Sequence, residues 1–176
     1  MTLRIFALII ITTLTTQGQD IFSAARNNDV QQLQLYIQQG VSVDTTDARG
    51  STPLIIAVYN HQVEATRMLL AANADSNKQD RMGNTALMGV CFRGYTDLAE
   101  LLIAHHTDIN QVNYNGAAAL TFAATFGHVE IVKLLLKANA DTRLVDNTGK
   151  TALQHAQLQG NEEIIAVLSA PSLPLK

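Results

Sequence analysis

The sequence predicts an all-α solenoid of stacked helix–turn–helix pairs, and three observations carry that prediction. Glycines recur at Gly50, Gly83, Gly116 and Gly149, each 33 residues after the last. Leu54, Leu87, Leu120 and Leu153 keep the same step, as do Leu69, Leu102, Leu135 and Leu168, and Asp75, Asp108 and Asp141. Each period holds a turn cluster followed by two short apolar stretches at helical spacing. Helices that short cannot bury their apolar faces alone, so stacking on neighbours must supply the core.

The N-terminus, residues 1–18, reads as an export signal. Met1-Thr2-Leu3-Arg4 is a short basic start, and Ile5-Phe6-Ala7-Leu8-Ile9-Ile10-Ile11 is an apolar run. A membrane span needs about 20 apolar residues, which this run does not reach, whereas a secretory core has this length. Small residues at Thr16 and Gly18 suit cleavage before Gln19, and no Cys follows the run to carry a lipid. No asparagine lies in an Asn-x-Ser/Thr acceptor, which points to a bacterial periplasm ahead of secretion from a eukaryote.

The repeat domain is expected over residues 19–170. Residues 20–46 form a degenerate first repeat, with Ile21, Ala24, Val30, Leu33 and Gly40 in register. Gln31, Gln32, Gln34, Gln38 and Gln39 give its second helix the polar side of a cap. Repeats follow at 47–79, 80–112, 113–145 and 146–170, the last a C-terminal cap. In the third full repeat Asn113-Tyr114-Asn115-Gly116 is the turn, where glycine takes positive φ at no steric cost. Ala118 to Phe126 is a short apolar helix broken by Gly127-His128, and Val129 to Lys137 is the second helix. Asp47, Asp80 and Asp146 open the other turns. Thr52, Thr85 and Thr151 stand where an N-cap must accept unsatisfied amides, and Pro53 follows at the first helical position. Glu162 and Glu163 begin the final helix, where negative charge suits the helix dipole. Pro171 and Pro174 then end regular structure, leaving the tail 171–176.

On these residues the chain resembles the ankyrin repeat family. The matching motifs are Gly50-Ser51-Thr52-Pro53-Leu54, the run from Gly127-His128 to Leu136, and Ala140-Asp141. The resemblance implies helix pairs in an L-shaped array, with turns projecting as fingers at right angles. There are departures. Ile55, Met88, Thr121 and Gln154 replace the family's usual histidine after Thr-Pro-Leu, and Ala118 replaces the N-cap threonine. The glycine after the second helix is Gly40 once, then Asn73, His106 and Asn139, residues that tolerate left-handed geometry.

Composition limits the chemistry. With 47% hydrophobic and 15% charged residues the chain is globular. A net charge of −3 without a basic run argues against nucleic acid. A single cysteine excludes an intramolecular disulfide framework and any cysteine-rich zinc site. No GxSxG, phosphate-binding glycine loop or HExxH occurs. Cys91 shares a column with Val58, Ala124 and Gln157 and reads as a buried small residue. His105-His106 reads as a helix terminus, and its metal-binding alternative lacks further ligands. The chain is therefore expected to be no enzyme and to hold no cofactor or metal.

Binding to another protein is the expected function, with the mature chain a monomer that does not insert in membranes. In the proteins it resembles, partners are held by finger tips and by the exposed side of the inner helices. The corresponding candidates here are Arg49, Arg81, Met82, Tyr114 and Asn115 on fingers, and Tyr59, Asn60, Phe92, Arg93, Thr125 and Phe126 on inner helices. A surface concentrating aromatics, Met and Arg has the composition of binding hot spots. Phe92 and Phe126 could alternatively cover gaps between successive repeats. Two other functions stay open: an exported effector or toxin-associated factor, and a metal or small-molecule binder using His105-His106.

Overall fold

The turn that opens each period is held by one side-chain oxygen. In the computed structural model, which describes residues 21–105 and 107–170, Asp47 Oδ1 accepts the amides of Arg49 and Ser51 at 2.7 and 2.9 Å. Asp80 does the same for Met82 and Asn84, Asn113 for Asn115 and Ala117, and Asp146 for Thr148 and Lys150. The position needs an acceptor rather than a charge, so Asn113 serves as well as aspartate. Gly50, Gly83, Gly116 and Gly149 complete these turns with φ between 73° and 80°. The export signal, His106 and the tail from Pro171 lie outside the described residues.

The described residues form helix pairs, one pair to a period. These are α1 (residues 21–27) and α2 (Val30–Gln38), α3 (Pro53–Tyr59) and α4 (Val63–Ala71), α5 (Ala86–Arg93) and α6 (Thr96–Ala104). Then come α7 (Ala119–Thr125) and α8 (Val129–Lys137), and α9 (Ala152–Gln159) and α10 (Glu162–Ser169). Extended pairing is limited to isolated bridges between Val112 and Ala118 and between Val145 and Thr151. This is the all-α solenoid that the period implies.

Local chemistry sets where the helices begin. The hydroxyls of Thr52, Thr85 and Thr151 accept the amides of Ile55, Met88 and Gln154, and Gln154 returns a bond to the Thr151 amide. Ala118 adopts the same extended backbone, with φ −94° and ψ 172°, but has no side chain to cap with. The Thr121 amide turns to the Ala118 carbonyl instead, at 3.0 Å. Ala118→Thr is expected to stabilise the protein by about 1 kcal/mol. Its melting temperature should rise; a lower one would mean that this buried site cannot take the hydroxyl.

After the second helices the chain reverses through left-handed residues, Gly40, Asn73 and Asn139. Inner helices α3, α5, α7 and α9 pack on one another in succession, and outer helices α2, α4, α6, α8 and α10 form a second layer. The leucine columns lie between the layers. Leu54, Leu87, Leu120, Leu69, Leu102 and Leu135 are all buried, whereas Leu153 and Leu168 in the last period are half-buried. No described element covers the far side of that last pair.

Polar links also cross the period. Asp44, Asn77 and Asn110 each accept, through Oδ1, the backbone amide 31 residues downstream, at Asp75, Asp108 and Asp141, at 2.8–2.9 Å. Neighbouring fingers are joined by backbone bonds from Arg81 to Arg49, Tyr114 to Met82 and Asn147 to Asn115. The last finger is closed differently. His155 Nε2 donates to Asp146 Oδ2 at 2.6 Å. The Thr148 hydroxyl, together with His155, holds the Asp146 carboxyl well below the usual carboxylate range.

Candidate functional site

The inner helices end on a row of rings. Tyr59 is the last residue of α3 and Phe92 stands one period later in α5; their rings stack with centroids 6.1 Å apart and planes 9° apart. Phe126 caps the C-terminus of α7, and its ring meets Phe92 edge-on at 4.6 Å. Offset and edge-on arrangements are those aromatic quadrupoles favour. Tyr59 is 45% exposed, Phe126 47% and Leu158, one period beyond Thr125, 66%. Tyr59, Phe92 and Phe126, at three successive inner-helix ends, make a continuous ridge of rings. Phe92, half-buried between the other two rings, both fills the gap between repeats and joins the ridge.

Arg93 is fixed beside this ridge. Its guanidinium lies 5.2 Å from the Tyr59 ring centroid and 5.5 Å from that of Tyr95, within cation–π range. Nε and a terminal nitrogen both donate to the Tyr95 hydroxyl, at 3.1 and 2.9 Å. Tyr95, the N-cap residue of α6, stacks in turn on His61, with centroids 4.1 Å apart. His61 stands at φ 57° and donates to both carboxylate oxygens of Asp97, at 3.0 and 3.1 Å. Slight burial raises the Asp97 carboxyl, but the bond and charge of His61 together with the backbone amides of Leu98 and Asp97 outweigh it and leave the group below its ordinary range. His61 and Asp97 were not among the candidates predicted from sequence.

The other predicted residues are placed less uniformly. Tyr114 makes no ring contact with the ridge; it is 67% exposed on its finger, and its ring rests against Gly83 of the preceding finger. Met82 and Asn115 are exposed on neighbouring fingers, as are Arg49 and Arg81. Asn60 is exposed and returns its amide to the Ile56 carbonyl, and the Thr125 hydroxyl bonds to Thr121 of its own helix. Those two side chains are bonded within their own helices, whereas Met82, Asn115 and the finger arginines stand exposed.

Elsewhere the surface offers little chemistry. Cys91 is fully buried and burial pushes its thiol up, away from the reactive thiolate. His105 Nδ1 donates to the Leu101 carbonyl at 2.8 Å. Among the described residues no three of His, Cys, Asp or Glu gather where a metal would bind, and no helix is long and apolar enough to cross a membrane.

A stack of helix pairs with linked fingers and an exposed inner ridge defines a repeat scaffold. The family model for ankyrin repeats (three copies) matches residues 21–113 and again 87–172. The chain belongs to the ankyrin repeat family. The match includes the degenerate first repeat. Members are generally protein–protein interaction modules and typically non-catalytic. No curated protein matches the chain.

Proposed function

We propose that the protein is a non-catalytic interaction module that acts after export, in the periplasm or outside the cell, and binds or regulates a partner protein there. The ridge Tyr59–Phe92–Phe126 carries this reading. It exposes, on the face that positions the fingers, the aromatic surface that interfaces concentrate. Export is supported by the basic start and apolar run of residues 1–18.

The test is capture from an envelope fraction with the wild type and with a Phe92→Ala/Phe126→Ala variant whose helical circular dichroism matches it. The wild type is expected to retain a partner that the variant loses. Identical captured sets would remove the ridge from the interface. The protein recovered from that fraction should have the mass of residues 19–176; an intact N-terminus would overturn the export reading.

A further inference from the structure

The arginines of the described residues fall into two groups. Arg67 and Arg143 lie on an outer helix and in an outer loop, and each is paired with a carboxylate, Glu64 or Asp141. Arg26, Arg49, Arg81 and Arg93 make no ion pair. All four are exposed, and all four lie on fingers or inner helices. Arg26 stands exactly one period before Tyr59, at the start of the ridge.

Carboxylates show the opposite distribution. Helices α1, α3, α5, α7 and α9 contain no Asp or Glu at all, whereas α4, α6, α8 and α10 carry Glu64, Asp97, Glu100, Glu130, Glu162 and Glu163. The finger aspartates Asp47, Asp80 and Asp146 each hold two turn amides through one oxygen, Oδ1. A chain of net charge −3 thus presents, on its inner helices, unpaired positive charge and no acid of their own. Arg93 is the most defined of these cations. Two tyrosine rings and the Tyr95 hydroxyl hold its guanidinium, which keeps donors to spare, and Asp97 is bonded to His61 instead. An arginine oriented before binding loses less freedom when it forms a fork with a carboxylate.

Resting on the interaction reading above, we propose that the partner docks through an acidic protein segment, whose carboxylates meet Arg93 and the finger arginines while an apolar side chain beside them packs on the Tyr59–Phe92–Phe126 ridge. Charge complementarity selects this occupant. A basic segment would be repelled, and an uncharged one would leave the cations unanswered.

The probe is a random peptide library displayed on phage and selected on the immobilised full chain. Enriched peptides should combine Asp or Glu with Leu, Phe or Trp at a repeated spacing, and a synthetic peptide of that sequence should bind more weakly as salt rises. Arg93→Gln should weaken that peptide by about tenfold or more, Arg93→Lys by less, and the paired outer Arg67→Gln not at all. Enrichment without acidic residues, full binding by Arg93→Gln, or displacement of the peptide by a thymidine oligonucleotide would each overturn the acidic occupant. The ridge is tested separately. If Phe92→Ala/Phe126→Ala loses the peptide while Arg93→Gln keeps it, the interaction reading stands and only this inference fails. If the double variant still binds fully, or nothing is enriched, both fail.

Discussion

Leu102→Ala is expected to lower the unfolding free energy by about 3 kcal/mol, within the range found when a buried leucine leaves a cavity. Leu102 lies in α6, fully buried between the inner and outer layers of a central period. Helices α4 and α8 of the neighbouring periods pack on α6, so little can collapse into the space it leaves. Leu168→Ala, in the same column but half-buried in α10, should cost only about 1 kcal/mol, because much of its surface is already in water. Urea titration of both variants reads the difference. Equal losses would mean that the last pair is covered as fully as the central ones. Since whole domains hold only about 5–15 kcal/mol of stability, the Leu102 change removes a substantial share of it.

Gly83→Ala should be nearly as costly, for reasons of backbone rather than burial. Gly83 stands at φ 80°, where an L-residue pays about 1–2 kcal/mol. An added Cβ would also sit 2.7 Å from the Tyr114 backbone nitrogen, closer than real contacts allow. That nitrogen donates to Met82 and so joins two fingers, so relief of the clash has to stretch the link. Together these should destabilise by about 3 kcal/mol. Gly149→Ala provides the comparison. It has φ 76° but nothing within 4 Å of the new Cβ, so the conformational cost alone, about 1 kcal/mol, should appear. Matching melting temperatures for the two variants would show that Tyr114 does not lie against Gly83.

Much of this architecture was legible in the sequence because it repeats at one fixed interval. The leucine columns, threonine caps and turn glycines are each a residue type that one physical demand selects, and the demand recurs every period. Asn73 and Asn139 were readable as left-handed residues for the same reason. The links between periods were harder to see. Asp44, Asn77 and Asn110 do the same task with different residues, and their targets lie 31 positions away, off the repeat interval. The Asp75 column was visible, but that its amides were the donors was not.

The candidate surface shows a similar division. Sequence register brought Tyr59, Phe92 and Phe126 to one side, yet it left open whether the rings fill gaps or face outward. Side-chain geometry shows Phe92 doing both. His61 escaped notice because it occurs once, in a column that otherwise holds Asn28, Gly94, Gly127 and Gly160. Its partners, Tyr95 and Asp97, belong to the next period and are found only when the two are stacked. Tyr114 serves twice: an aromatic on a finger looks like a contact residue, and it is largely exposed while one edge of its ring lies against Gly83 of the finger before it.

The side-chain ladder from Asp44 through Asn77 to Asn110 has a consequence for how long such an array can grow. One step further, the acceptor position is Arg143, which has only donors to offer and turns them on its own neighbour Asp141. The matching donor position is Pro174, a residue with no amide hydrogen to give. Both residue types that the coupling uses are therefore replaced at this step of the sequence. An additional module spliced on after α10 would find leucines to lean on but no thread to engage. The ladder thus changes its residue types at its fourth step, in two residues that a tally of buried leucines would pass over.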